Sequence, residues 1–77
     1  MLDTVFAVSE KQLVHQGRRV TIKSAGIQNG RPYVEVDPPD DRVVQVFTRH
    51  IDRVIRGDEP TISLDEIQAD LIQADLQ

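Results

Sequence analysis

The chain has no cysteine and no tryptophan, and its 77 residues include one tyrosine, two phenylalanines and one methionine. Without cysteine there is no disulfide framework, no thiolate nucleophile and no thiolate zinc site. No apolar run approaches the roughly 20 residues that span a bilayer. The first residues lack the basic and apolar regions of a secretory leader. The expectation is a soluble, cytoplasmic protein with no membrane partner. Base is absent from residues 58–77, which carry six acids: Asp58, Glu59, Asp65, Glu66, Asp70 and Asp75. Histidine occurs twice, as His15 and His50, with no paired ligand spacing, so neither a metal nor another cofactor is expected.

All nine lysines and arginines lie between Lys11 and Arg56, against five acids in residues 11–57. A basic body with an acidic tail points to a binding surface and something that modulates it. A single domain of this size draws roughly 3–5 kcal/mol from its core. With disulfides excluded, self-association is the reinforcement to expect.

Thr4–Val8 is rich in β-formers and reads as a short strand. Ser9 with Gln12 forms a capping-box pattern, so residues 10–15 read as one helical turn or as a continued strand. Arg19–Ala25 alternates, with Val20 and Ile22 on one face and Arg19, Thr21 and Lys23 on the other. Asn29-Gly30 signals a hairpin whose return strand is Tyr33–Val36. A two-residue loop would set Ile22 against Asp37 and mix the faces. A three-residue loop, Gln28-Asn29-Gly30, sets Ile22 against Val36 and Lys23 against Glu35, and is the preferred register.

The two prolines of Asp37-Pro38-Pro39-Asp40-Asp41 make a turn. Arg42–Thr48 then reads as a strand covered on both faces. Arg49–Arg56 fits either a helix, with Ile51, Val54 and Ile55 on one side and Arg49, Arg53 and Arg56 on the other, or a tight turn and closing strand. Gly57 ends it. Residues 58–62 are a linker, and Ser63-Leu64-Asp65-Glu66 is a capping box for a helix running almost to the C-terminus. In that helix Ile67-Gln68-Ala69-Asp70-Leu71 is repeated as Ile72-Gln73-Ala74-Asp75-Leu76. Five residues rotate a helix by about 500°, leaving the copies about 140° apart. Two apolar seams result: Leu64, Ile67, Leu71 and Ala74, and beside them Ala69, Ile72 and Leu76.

These elements give a mainly β fold with α: a small, bent barrel of about five short strands in residues 1–57, the linker 58–62, and an acidic amphipathic helix in 63–77. The order and spacing of Arg18–Ile55 resemble the SH3-like and Sm-like small barrels. A second resemblance lies in the run from Gly17 to Ile27, in Val36-Asp37-Pro38-Pro39, and in Val44, Val46 and Ile51 after an initial Met1-Leu2. These residues are similar to the carbon storage regulator family. That resemblance implies an interlocked five-stranded dimer that binds mRNA leaders and blocks ribosome access. The chain departs from the family where its RNA-contacting arginine pair stands, having Val5-Phe6-Ala7 there. The family's later arginine falls on Thr48, beside Arg49. The resemblance therefore bears on fold more than on activity.

Catalytic machinery is hard to assemble. His50 and Asp52 with Ser9, Ser24, Ser63 or Thr48 supply triad residue types, without a nucleophile elbow. His50 itself reads as a partly exposed surface residue. The carboxylate pairs Asp40-Asp41, Asp58-Glu59 and Asp65-Glu66 fall in turns or at a helix start, where solvation and capping account for them. The expected function is a non-catalytic regulatory or assembly module that takes no small-molecule substrate. Its partner is another protein or itself, bound through the barrel surface and the helix residues Leu64, Ile67, Leu71, Ile72 and Leu76. The alternative is an RNA- or DNA-binding regulator using Arg19, Lys23, Arg49, Arg53 and Arg56, unless the acidic tail lies on that basic face.

Overall fold

The computed structural model describes residues 3–76, so Met1-Leu2 lies outside it. Four strands, β1 (Thr4–Val5), β2 (Gln12–His15), β3 (Arg18–Gln28) and β4 (Arg31–Asp37), precede two helices, α1 (Asp41–Ile55) and α2 (Leu64–Asp75). All strand pairs are antiparallel and all involve β3. Gly26 and Ile27 pair with both β1 and β4, and Thr21 pairs with both β2 and β4. Hence β1 and β2 share one edge of β3 and β4 takes the other. The sheet stays open and does not close into a barrel.

Both hairpins turn on two residues with positive φ: Gln16 (53°) with Gly17 (78°), and Asn29 (53°) with Gly30 (76°). This is the geometry that matches strand twist. Gln28 pairs with Arg31, so the second loop has two residues and not the three expected from the sequence. Ile22 nevertheless faces Val36, because a bulge between Ile22 and Ser24 absorbs the extra residue at Lys23. Glu35 is therefore opposite Ser24, not Lys23. The tertiary demand for one apolar face is met inside the strand instead of at the turn. Gly26 is required by close approach: a Cβ there would meet the Thr4 carbonyl oxygen and the Tyr33 hydroxyl, the latter at 2.8 Å. Of residues 10–15, Gln12–His15 form strand β2, with Leu13 and His15 inward, and no helical turn forms.

The expected strand Arg42–Thr48 is the first half of α1. Val43, Val46, Phe47, His50, Ile51 and Val54 follow helical spacing, and all but Val54 are fully buried. Asp40 is the N-cap, its Oδ1 accepting from the Arg42 and Val43 N–H groups at 3.1 and 3.2 Å. At the other end Gly57 has φ 82°. Its N–H donates to Val54 O, and Asp58 N–H donates to Arg53 O. These two bonds form a Schellman close. The strong cap and the buried stripe outweigh the β preference of three valines.

In α2 Ser63 accepts from Glu66 N–H at 3.4 Å, the capping box read from the sequence. Ile67 and Leu71 enter one core with Phe47 and Ile51 of α1 and Val20, Ile22, Ala25 and Ile27 of β3. Both helices thus cover the Val20/Ile22 face of the sheet. The opposite face, bearing Arg19, Thr21, Ser24 and Tyr33, is left open by alternation. Among the described residues no helix is long and apolar enough to cross a membrane.

Candidate functional site

Both histidines are buried, and each meets an aspartate of α2. The expectation of a partly exposed His50 is corrected: its place on the α1 stripe, one turn from Phe47 and Val46, carries it inward. Its acid partner is Asp70 and not Asp52, which pairs with Arg56. The Thr48 hydroxyl donates to the Val44 and Gln45 carbonyls. Among the described residues no Ser or Thr hydroxyl bonds either imidazole.

His15 stands between two carboxylates. Nδ1 lies 2.6 Å from Asp40 Oδ2, and Nε2 lies 3.2 Å from Asp75 Oδ1. A carboxylate only accepts, so the doubly protonated ring satisfies both contacts. The hydrogen bond to Asp40 raises the His15 pKa above its ordinary value, burial opposes it, and Asp75 adds to the rise. For Asp40, burial alone would raise the carboxyl. Hydrogen bonds from His15 and from the Val43 and Arg42 N–H groups outweigh it, and the net shift is downward. One carboxylate thus caps α1 and grips β2, while Asp75 ties down the end of α2.

His50 is 1% exposed. Its Nε2 lies 2.6 Å from Asp70 Oδ2, but its buried Nδ1 has no hydrogen-bond partner among the described residues. Such an orphan costs about 1–3 kcal/mol. A shallow cavity of about 280 Å³ is lined by His50, Arg53, Glu59, Glu66, Ala69 and Asp70. One His50 nitrogen and one oxygen each of Glu59 and Glu66 lie within 4.8 Å of one another. Among the described residues these three form the group able to hold a metal ion. Sequence spacing hid them because Glu59 comes from the interhelical connection and Glu66 from a different helix.

The cations of the nucleic-acid alternative are divided. Arg19 lies on the open sheet face and Lys23 at the bulge, whereas Arg49, Arg53 and Arg56 belong to the helical layer on the other side. Arg53 pairs with Glu59 at 3.5 Å, and Arg56 with Asp52 at 3.3 Å and Asp58 at 3.8 Å. Arg49 and Arg53 border a groove against Asp70, Gln73 and Ala74 of α2. The acidic helix therefore does run beside two of the three helical cations.

Among the five helix residues expected to bind protein, Ile67 and Leu71 are consumed by the core and Leu64 is half-buried against it. Ile72 (56% exposed) and Leu76 (75%) face solvent. Two further exposed apolar residues escaped the sequence reading: Val5 (74%) and Val14 (48%). Val14 adjoins α2 directly. The Gln68 amide accepts from Val14 N–H at 2.8 Å and donates to Val14 O at 2.7 Å. This side chain pairs with the free edge of β2 at Val14 as a neighbouring strand would, and blocks strand addition at that residue. Gln68, Ile72 and Leu76 follow at intervals of four on one helix face, and Gln68 holds that face to the edge of β2, while the Val14 side chain shares the open sheet face with Arg19. Val5, paired at Gly26 at the far end of β3, is separate from that helix face. Comparison with protein families, with curated proteins and with solved structures gives no match.

Proposed function

We propose that the protein is a non-catalytic regulatory or assembly module that docks another protein, or a second copy of itself, on the outer α2 strip of Ile72 and Leu76. The observation that carries this reading is the division of α2 into two seams. One seam is spent on the core. The other keeps two large apolar side chains, Ile72 and Leu76, in water. Burying a side chain of this size is worth about 1.5–3 kcal/mol, so a short strip supplies useful affinity. The Gln68 clamp directs recognition to side chains, because the β2 backbone is already occupied at Val14. The strip is flanked on α2 by acids and by no base, which favours a partner surface with a basic rim.

Deleting α2 would strip Ile67 and Leu71 from the core, so the test uses surface substitutions. The double variant Ile72→Asp/Leu76→Asp and the wild-type chain are compared by light scattering and by affinity purification from the native host at two salt concentrations. The reading expects that the variant loses either an oligomer or a captured protein that the wild type holds. Identical mass and identical captured proteins overturn it.

The RNA- or DNA-binding alternative, and with it the Sm-like and carbon-storage resemblances, draws less support. Its five cations lie on two sides of the molecule, and two of them are engaged by acids. Phosphate neutralisation needs them together. A salt titration against single-stranded and duplex oligonucleotides decides it, since a real interface gives affinity that falls steeply as salt rises.

A further inference from the structure

We propose that His50, Glu59 and Glu66 form a binding site for a divalent transition-metal ion of the zinc class, with Asp70 positioning the imidazole. This stands apart from the docking strip, which lies on the opposite side of the α2 seam. The donors converge: one imidazole nitrogen and two carboxylate oxygens within 4.8 Å of one another. Around a bound zinc ion, with bonds of about 2.0–2.2 Å, neighbouring donors sit roughly 3.3 Å apart. Small rotations of two glutamates, one exposed and one half-buried, bring them there.

Three features single this cluster out from an ordinary acidic patch. The first is the Nδ1 atom, buried and without a partner among the described residues, in a side chain shielded from water. The second is the Asp70 contact. A carboxylate 2.6 Å from Nε2 can only accept there, and in the tautomer that donates to it the Nδ1 lone pair faces outward from the ring, the form a metal requires. A carboxylate behind a ligating histidine is a recurrent arrangement in metal sites. The third is charge. Glu59, Glu66 and Asp70 with Arg53 leave the cavity at −2, which a divalent ion neutralises. The mixed nitrogen and oxygen set favours zinc, cobalt or manganese over calcium and magnesium, which take oxygen alone. One contact opposes binding. Glu59 must release Arg53, but that pair is 3.5 Å long and half-exposed, which places it in the weak class. The one remaining tetrahedral position falls to water in the cavity.

The test is calorimetric titration of zinc chloride into the full chain, stripped with chelator beforehand, with the cobalt absorption spectrum as a second readout. The expected result is one equivalent at micromolar affinity and a cobalt spectrum of nitrogen and oxygen ligation. Glu59→Gln and Glu66→Gln, both at the surface and checked for fold by circular dichroism, should each weaken binding at least tenfold. For Asp70 as a positioning residue, Asp70→Ala should weaken binding tenfold or more, while Asp70→Asn, whose amide oxygen still accepts from Nε2, recovers part of it. Absence of heat and of any cobalt spectrum at millimolar metal overturns the proposal. So does binding that survives Glu59→Gln/Glu66→Gln, or binding lost with His15→Gln and retained in His50→Gln, since either places the metal elsewhere.

Discussion

The two histidines are both buried and each is met by an acid from α2, yet their surroundings differ in one respect. His15 has a carboxylate on each ring nitrogen, and one of those carboxylates also caps α1. His50 has a carboxylate on one nitrogen and, among the described residues, nothing on the other. Burial alone therefore does not say what a polar residue is for. A ring satisfied on both sides is a structural clip, here fastening β2, the start of α1 and the end of α2. A ring satisfied on one side, beside a polar cavity, retains a capacity to bind.

The sharpest way to break that contrast is to replace each ring by an apolar group of similar size. His15→Leu strands Asp40 and Asp75 and should lower stability by about 2–4 kcal/mol. His50→Leu removes the orphaned nitrogen and releases a half-exposed Asp70 to water, so it should change stability by less than about 1 kcal/mol. Urea denaturation of both, in chelator, measures the gap. Equal losses would erase the distinction.

A smaller effect follows from pH. His15 has a folded pKa above its ordinary value of 6.5. Its contribution is fully present below that value and is lost as pH rises through the folded pKa. Asp40 is shifted the other way. Its contribution is present above its ordinary value of 3.8 and is lost as pH falls through the folded pKa. The clip is strongest between the two, so the stability gap between wild type and His15→Leu should narrow as pH is raised from 5.5 to 8.5. A gap that widens over that range contradicts the charged clip.

The smallest effect is expected outside the clip. Ile72→Ser, on the exposed seam, should leave the urea midpoint within about 0.5 kcal/mol of wild type. A loss as large as that of His15→Leu would mean that the outer seam is structural, and the docking reading would lose its basis.

Much of this was legible in the residues. The alternation around Val20 and Ile22, the Asn29-Gly30 turn, the Ser63–Glu66 box and the two seams of the last helix are local patterns, and local patterns survive without coordinates. Arg42–Thr48 is not legible as helix when taken by itself, because its apolar stripe continues past Thr48. Ending the segment there cuts the stripe from Val43 to Val54 in two and gives three valines a β preference that a continuous helix overrides. Asp40, placed directly after two prolines, is the start signal. The loop length is hidden for a similar reason, since the strand takes up the extra residue as a bulge at Lys23 and the turn keeps two residues.

By itself the sequence determined which faces are apolar, where the tight turns fall, and that the last helix has one seam more than a single docking surface needs. It did so because periodicity and capping act over a few residues. Only tertiary structure decided that the sheet stays open, that His15 and His50 are interior, that Gln68 pairs with the edge of β2, and that Glu59 and Glu66 converge on one imidazole. Each of these joins side chains from different elements, between 7 and 60 residues apart in the chain, and no local pattern encodes such a meeting.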